Sequence, residues 1–311
     1  MRMLVVGAGS IGGLFGGRLA QAGRDVTFLV RPRRAEQLRR NGLQIVSPLG
    51  DATLQPKLLA SEDIHDAFDV VFLSVKAYSL DSAIADFFPA VGARTMILPV
   101  LNGMQHMDTL AARFGVRPLI GGACKAATML DGQGRVVQLT KLQDLAYGEM
   151  DGSRSERITS LDEFMQGAAF DARLSQTIAL EMWQKWTFLA TLGGVTCLMR
   201  GTTGEIEAAS GGPQFLTNFL NEVVSVVEAS GISLGKAFLD TTAQTLLAPG
   251  APTTSSLYRD LQEGNRVEAD QILGDLLRRG AKAQLRTPLI SAAYTNLCIY
   301  QNRSNAARLA G

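Results

Sequence analysis

The sequence contains few of the residues that build disulfide frameworks and metal centres. Its three cysteines, Cys124, Cys197 and Cys298, are odd in number and widely separated, so no disulfide framework is expected. The two histidines, His65 and His106, have no metal ligand at a useful spacing. We therefore expect free thiols in a reducing cytoplasm and no metal site.

An excess of charge of one sign and long apolar runs are also absent. The chain has 30 lysines and arginines against 29 aspartates and glutamates, whereas nucleic-acid binders usually carry a basic excess. The longest uncharged apolar stretch, Trp186 to Met199, is shorter than the roughly 20 residues that a membrane span needs. The N-terminal glycines come too densely for a signal peptide. We expect a cytoplasmic protein that binds neither nucleic acid nor membrane.

Short apolar runs alternate with helical patterns in the first half of the chain. Near-continuous apolar runs of this kind are typical of parallel strands covered on both faces. The predicted strands are Met3–Val6, Asp25–Val30, Leu43–Val46, Asp69–Val75, Thr95–Leu101 and Leu119–Cys124. The pattern predicts an α/β fold with an N-terminal Rossmann-type doubly wound sheet.

The pattern changes after residue 134. Arg135–Leu139 and Asp144–Tyr147 are predicted as paired strands that close the sheet, and the chain is mainly helical from Thr177 onward. The predicted helices are Thr177–Met199, Pro213–Ser230, Ser233–Leu247, Ser255–Gln262, Arg266–Gly280 and Pro288–Arg303. A length of 311 residues favours about two domains. We predict a Rossmann domain at residues 1–172 and an all-helical domain at residues 173–311.

A glycine-rich turn follows the first predicted strand and opens a helix. Its sequence, which fits G-x-G-x-x-G, is Gly7-Ala8-Gly9-Ser10-Ile11-Gly12. In such loops the first glycine allows the turn, the second lets pyrophosphate approach the backbone and the third lets helix and strand pack closely. Free N–H groups at the helix N-terminus favour the phosphates. A tight turn without a ligand is the alternative.

The end of the second strand indicates which dinucleotide would bind. Sites for NAD carry Asp or Glu there, whereas this chain has Arg31 followed by Pro32, Arg33 and Arg34. A guanidinium binds phosphate in a fork, so Arg31 predicts the 2′-phosphate of NADP. The alternative, an exposed basic helix start, fits Arg34 and Arg33 better than Arg31.

Two further polar residues follow predicted strands at the edge where ligands bind in doubly wound sheets. Lys76 follows one strand, and Asn102 follows the next within Asn102-Gly103-Met104. Either side chain could contact a cofactor or a substrate. The alternatives are a solvated loop lysine and an Asn-Gly turn that needs no ligand.

The ordered set of motifs resembles the ketopantoate reductase (2-dehydropantoate 2-reductase) family. The resemblance spans nearly the whole chain. The matching pieces are the loop at Gly7, Arg31, SVKA at Ser74–Ala77, LNGM at Leu101–Met104, EMWQK at Glu181–Lys185, Ser255-Ser256 with Asp260, and Glu268.

This resemblance implies NADPH-dependent reduction of a 2-oxo acid, with residues 1–172 binding NADP and the helical domain carrying substrate and catalysis. Lys185 then matches the catalytic proton donor to the substrate carbonyl, and Asn102 contacts substrate and cofactor. Ser256 holds the substrate carboxylate, and Glu268 lies near the nicotinamide ribose and the active site. The implied cofactor-binding set is the glycine loop (Gly7 to Gly12), Arg31, Lys76, Asn102, Ala127 and Glu268. The oligomeric state is left open, with a homodimer among the alternatives.

The three helical-domain residues also have structural interpretations. Glu181 lies four residues before Lys185, a favourable spacing for a helix ion pair. Asn265 and Glu268 fit a capping box, with Asn265 as N-cap and Glu268 as the third helical residue. Ser256, or its neighbour Ser255, could cap the next helix. Their joint occurrence in the family's order favours the functional interpretation.

Three positions depart from the family pattern. Leu189, Gly193 and Thr203 stand where members of the family carry asparagines that bind the substrate, and Lys125 matches no family role. A site that bonds a substrate hydroxyl discriminates strongly against analogues that lack it. Three hypotheses follow: a reductase of ketopantoate in pantothenate biosynthesis, a reductase of a less polar 2-oxo acid, and a non-catalytic NADP-binding protein.

Overall fold

The computed structural model describes residues 1–310, with the side chains of residues 1–306. The chain divides into two compact units. The first contains Met1–Leu101 with His106–Ala179, and the second contains Asn102–Gln105 with the chain from Leu180 onward. The boundary inferred from sequence, between residues 172 and 173, stays a prediction.

The strands all lie in the first unit. They are β1 (Arg2–Val6), β2 (Asp25–Leu29), β3 (Leu43–Val46), β4 (Ala52–Leu54), β5 (Lys57–Leu59), β6 (Val70–Leu73), β7 (Met96–Pro99), β8 (Gly121–Leu130), β9 (Val136–Gly148) and β10 (Asp171–Leu174). A parallel sheet has the order β5-β2-β1-β6-β7. Every residue of β6 and β7 is buried, as expected for parallel strands covered on both faces. The Rossmann-like sheet predicted from the apolar runs is confirmed.

The helices are α1 (Ser10–Gln21), α2 (Pro32–Asn41), α3 (Leu80–Phe87), α4 (Gln105–Phe114), α5 (Glu156–Met165), α6 (Ile178–Met199), α7 (Thr203–Ala208), α8 (Gly212–Ala229), α9 (Lys236–Leu246), α10 (Ser256–Gln262), α11 (Asp275–Lys282) and α12 (Pro288–Ala310). A π-helical segment, Asp270–Gly274, leads directly into α11. Beyond α6 the described chain is helical, as predicted. None of the helices in residues 1–310 is both long enough and apolar enough to cross a bilayer.

A second sheet, which the sequence did not reveal, also belongs to the first unit. Its order is β10-β9-β3-β4, and β8 pairs with β9 in antiparallel fashion. The predicted pairing of Arg135–Leu139 with Asp144–Tyr147 is wrong, because both stretches lie in the single strand β9. The turn comes earlier, where Gly134 has φ +76° and donates its N–H to the Asp131 carbonyl at 2.9 Å. Because no glycine or proline separates the two stretches, the chain continues as one strand.

Helix α1 lies between the two sheets, and its paired glycines explain how it fits. A methyl group at Gly16 would lie 2.9 Å from atoms of Val5 and Phe28 in the parallel sheet. A methyl group at Gly17 would lie 2.8 Å from Ile45 in the second sheet. The helix therefore packs closely on both sides, and only glycine permits this approach.

Helix α8 of the second unit is amphipathic. Helix α8 buries Leu216, Phe219, Leu220, Val223 and Val227, at the spacing of one helix face.

We predict that Gly16→Ala lowers the free energy of unfolding. Alanine would raise the helix propensity, but the added methyl overpacks the contact, at a cost of about 1–3 kcal/mol. Chemical denaturation of the purified protein measures the change. Gly132→Ala is the matched control, because a methyl there meets no atom within 4 Å and should change stability by about 0.5 kcal/mol at most. A Gly16→Ala protein as stable as wild type would contradict the close packing of α1.

Candidate functional site

The glycine loop connects β1 to α1 in a shape suited to an anionic ligand. Gly7 has φ +98°, which favours glycine, and a side chain at Gly12 would collide with the Gly7 carbonyl and the Ser74 hydroxyl. A methyl group at Gly9 would meet nothing within 4 Å, so the loop is open there. Helix α1 has neither a side-chain N-cap bond nor an acidic residue in its first turn. Its N-terminal N–H groups thus suit a pyrophosphate.

The chain after β6 runs beside this loop. The Ser74 hydroxyl donates a hydrogen bond to the Gly7 carbonyl at 2.9 Å. Lys76, two residues further on, is exposed and precedes a short 3-10 turn at Ala77–Ser79. A methyl group on Gly7 would lie 3.0 Å from Val75, so Lys76 directly follows two residues that contact the glycine loop.

Two arginines around the start of α2 have different environments. Arg31 is exposed at the N-cap position, and its Nη2 lies 2.8 Å from the Ser82 hydroxyl. Arg34 is half-buried, and it donates from Nε to the Ala8 carbonyl at 3.1 Å and from Nη1 to the Gly134 carbonyl at 2.8 Å. Burial lowers the pKa of the Arg34 guanidinium from its ordinary value.

The interpretation of Arg34 as an exposed basic residue is therefore wrong. Its two carbonyl partners come from the glycine loop and from the hairpin that joins β8 to β9. These partners are distant in sequence, and no local pattern signals them. Arg33 is exposed, as expected.

Strand β8 carries the remaining candidates of the first unit. Lys125 is exposed and lies opposite Asp144 in the register of β8 and β9. Ala127 falls at a register irregularity between Ala126 and Thr128. The cofactor role of Ala127 stays a prediction, and nothing in the structure explains Lys125.

In the second unit, α6 carries Lys185 between two buried tryptophans. The rings of Trp183 and Trp186 lie 5.3 Å apart, and Lys185 itself is half-buried. The Arg279 guanidinium lies over both rings, 5.3 Å and 5.7 Å from their centroids, and pairs with Asp275 at 3.0 Å. Trp183 and Trp186 lie three residues apart and therefore share one face of α6, which Arg279 covers.

The π-helical segment bonds to α6 and to the Asn102 turn. The Trp186 indole donates to the Ile272 carbonyl at 3.0 Å, and the Gln271 side chain donates to the Asn102 carbonyl at 3.0 Å. Such segments hold an extra residue per turn and occur frequently at functional sites. Among residues 1–310, no described hydrogen bond uses the half-buried Asn102 side-chain amide. That amide is therefore available to a ligand.

Glu268 is buried, with 7% of its surface exposed, and it precedes the π-helical segment. The predicted helix start at Arg266 and the capping box of Asn265 with Glu268 are both wrong. Asn265 donates its side-chain amide to Glu263 at 2.9 Å, and its carbonyl accepts the Tyr300 hydroxyl at 2.7 Å. Glu268 is therefore not the third helical residue but stands just before the helix, where its carbonyl accepts the Ile272 N–H at 3.1 Å. Its functional interpretation stays a prediction.

The two serines at α10 have separate roles. Ser255 is the N-cap, because its hydroxyl accepts the Tyr258 N–H at 2.9 Å. Ser256 is the first helical residue and half-buried, and its hydroxyl takes part in none of the hydrogen bonds found in the described chain. It is the serine that remains available to bind a carboxylate.

The N-terminus of α10 packs on the second half of α6. A methyl at Gly193 would lie 3.1 Å from Leu257 and 3.8 Å from the Ser255 hydroxyl. Burial raises the pKa of the neighbouring Cys197 thiol to about 12, so this thiol stays protonated at neutral pH. Leu189, one turn before Gly193, is half-buried. This face of α6 is therefore apolar at both positions where the family pattern has asparagine.

The predicted residues thus fall into two groups. The glycine loop, Arg31 and Lys76 belong to the first unit, whereas Asn102, Lys185, Ser256 and Glu268 belong to the second. Their roles stay predictions. Thr203 is fully buried in the first turn of α7. In the described part of the chain, no group of three His, Cys, Asp or Glu side chains could hold a metal ion.

Comparison with known proteins identifies the family. The model described as "Ketopantoate reductase PanE/ApbA" matches residues 3–152, and "Ketopantoate reductase PanE/ApbA C terminal" matches residues 177–301. The chain is 35% identical over 301 residues to "Uncharacterized oxidoreductase YkpB" of Bacillus subtilis (strain 168), which covers 97% of this chain and 99% of the relative.

Solved structures agree with this assignment. The 2-dehydropantoate 2-reductase from Geobacter metallireducens GS-15 has a TM-score of 0.85 at 26% identity, covering 96% of this chain and 99% of that one. D-mandelate dehydrogenase, solved with NADH and anilino(oxo)acetate, has a TM-score of 0.87 at 20% identity, covering 98% and 100%. At that lower identity the likeness shows the fold alone. The chain belongs to the ketopantoate reductase family of oxidoreductases.

Proposed function

We propose that this oxidoreductase reduces a 2-oxo acid to a 2-hydroxy acid with NADPH, and that ketopantoate, reduced to pantoate, is its first candidate substrate. The observation that carries the proposal is the π-helical segment, which bonds both the Asn102 turn and the helix that carries Lys185. Glu268 lies two residues before this segment. Family membership and the name of the Geobacter relative support the reaction type. The cytoplasmic location and the homodimer remain predictions.

The first unit supplies the residues that would hold the dinucleotide. Its open glycine loop and the uncapped start of α1 suit the pyrophosphate, while the exposed Arg31 suits a 2′-phosphate. When bound, the dinucleotide supplies a hydride to the substrate carbonyl carbon. Lys76 and Ala127 of this unit, with Asn102 and Glu268 of the second unit, complete the proposed set of cofactor contacts.

The second unit supplies the groups that would handle the substrate. Reduction leaves negative charge on the carbonyl oxygen, and the Lys185 ammonium stabilises that charge and donates the proton. Lys185 is half-buried, so part of its side chain is already shielded from water. The Asn102 amide orients the carbonyl, and the Ser256 hydroxyl in the first turn of α10 bonds the substrate carboxylate. Glu268 contributes a buried carboxylate beside this set.

A second candidate substrate is a less polar 2-oxo acid. Neither Leu189 nor Gly193 carries a polar side-chain group, and Leu257 lies against Gly193. A substrate hydroxyl would find no side-chain partner at these two positions, so an acid with an apolar side chain would lose less on binding. The side chains at these two positions therefore favour a less polar 2-oxo acid over ketopantoate.

A panel of 2-oxo acids tests the proposed function. Purified protein is incubated with NADPH and either ketopantoate, 2-oxoisovalerate, 2-oxoisocaproate or phenylglyoxylate, and cofactor absorbance is followed. We expect turnover of at least one acid. A kcat/KM highest for ketopantoate supports the first candidate, and a higher value for an acid without a hydroxyl supports the second. Dinucleotide binding without turnover of any acid would overturn the proposed reaction.

We predict that Lys185→Met lowers kcat by about 10²- to 10⁴-fold, the usual contribution of general acid catalysis. The Kd for NADPH should stay near the wild-type value, because the lysine acts on the substrate. Steady-state kinetics and a fluorescence titration measure the two quantities. Lys236→Met is the control, since Lys236 is exposed and pairs only with Asp240 in the described structure. Wild-type kcat in Lys185→Met would rule out the assigned role.

We predict that Arg31→Ala weakens NADPH binding about 10- to 100-fold, the value of a hydrogen bond to a charged group. The Kd for NADH should change little, because NADH lacks the 2′-phosphate. Arg33→Ala, at an exposed neighbouring arginine, should leave both constants unchanged. Arg34→Met should weaken both dinucleotides alike, because Arg34 bonds the Ala8 carbonyl of the loop. Equal losses for both dinucleotides in Arg31→Ala would contradict the 2′-phosphate contact.

A further inference from the structure

Gln271 is a buried polar residue with a specific partner. Only 6% of its surface is exposed, and its Nε2 donates a hydrogen bond to the Asn102 carbonyl at 3.0 Å. Buried amides are almost always hydrogen-bonded, because an unpaired one costs free energy. The Asn102 carbonyl therefore has a fixed donor, and the backbone of the turn is tied to the π-helical segment.

The backbone of Gln271 contacts the same turn. Gly103 has φ +82°, and a methyl group on it would lie 2.7 Å from the Gln271 carbonyl oxygen. Only glycine allows both the conformation and the approach. The side chain and the main chain of Gln271 thus contact two consecutive residues of the turn.

A second tie joins the same two segments. Arg278 donates from Nη2 to the Gln105 side chain at 2.9 Å and from Nη1 to Asp270 at 2.9 Å. Asp270 opens the π-helical segment, and Gln105 ends the stretch Asn102–Gln105. The turn is therefore held at both of its ends.

The π-helical segment also contacts a second partner. In a regular α-helix each interior carbonyl accepts from the N–H four residues later. Here the Ile272 carbonyl accepts the Trp186 indole at 3.0 Å, next to Lys185 in α6. Gln271 bonds the Asn102 turn, and the adjacent Ile272 bonds α6, the helix that carries Lys185.

We propose that Gln271 is a positioning residue that sets the Asn102 amide for the substrate carbonyl. The inference rests on the proposed function, because it assigns Asn102 to the substrate. Gln271 acts through the Asn102 backbone and touches neither substrate nor cofactor. Loss of its amide donor leaves the turn in place through Gly103 and Gln105 but frees the Asn102 carbonyl. Since misplacement of a binding group by about 1 Å can cost about 10²-fold in rate, a small shift of Asn102 is enough to lower kcat.

The test compares Gln271→Met with Gln143→Met. Gln143 is a buried glutamine of the first unit, 5% exposed, whose amide also donates to a backbone carbonyl, that of Ala169. Both variants lose one buried hydrogen bond, so their Tm values should fall similarly. We expect kcat for the best 2-oxo acid of the panel to fall about tenfold or more in Gln271→Met, with an unchanged Kd for NADPH. In Gln143→Met kcat should stay at the wild-type value.

A double-mutant cycle with Asn102→Ala shows whether Gln271 acts through Asn102. Adding Gln271→Met to Asn102→Ala should lower kcat by less than twofold, because the positioned amide is already gone. Full additivity of the two losses, or wild-type kcat in Gln271→Met, would overturn the positioning role. If Gln271→Met fails to fold, Gln271→Glu keeps the size and replaces the donor with an acceptor, and the same kcat loss is expected.

The two proposals fail in different ways. Wild-type protein that reduces no acid of the panel overturns the proposed function and the positioning role together. Wild-type protein that is active, with Gln271→Met equally active, overturns the positioning role alone.

Discussion

The hydrogen bond from the Trp186 indole to the Ile272 carbonyl is the contact on which the candidate catalytic group depends. Trp186 is 1% exposed, and a buried aromatic ring of this size anchors α6 firmly against the π-helical segment. Without the bond the buried indole N–H would lack a partner, which costs about 1–3 kcal/mol. The position of Lys185 follows from that of its neighbour, since both belong to one helix. Arg279 adds a cationic cover over the two tryptophan rings.

In the first unit, glycines fix the position of the proposed binding loop. The loop needs Gly7 for its positive φ and Gly12 for its approach to the Gly7 carbonyl, while Gly16 and Gly17 let α1 fit between two sheets. Helix α1, whose N-terminus is the proposed pyrophosphate site, is therefore packed closely against the core behind it. Arg34 adds a tie between the loop and the β8–β9 hairpin. The residues proposed to bind the pyrophosphate are therefore close neighbours, in the twelve-residue helix α1, of the residues that pack the core.

The sequence predicted the features that depend on local patterns. Apolar runs identified the parallel sheet, and the glycine spacing identified the turn into α1. It failed where a residue's role depends on partners far along the chain. The prediction divided strand β9 in two because its central residues are polar. It also began the helix after Asn265 too early, because the sequence there resembles a capping box. Gln271 gave no signal, since its partner lies 169 residues away and its direction depends on the π-helical turn.

The central claim is that the chain transfers a hydride from NADPH to the carbonyl carbon of a 2-oxo acid. The most direct measurement uses NADPH that carries deuterium at both C4 positions of the nicotinamide, with the best acid of the panel as substrate. Mass spectrometry and proton NMR then locate the label in the product. We predict a 2-hydroxy acid with deuterium at C2. A 2-hydroxy acid with hydrogen at C2, or no 2-hydroxy acid from any 2-oxo acid tested, would contradict the claim.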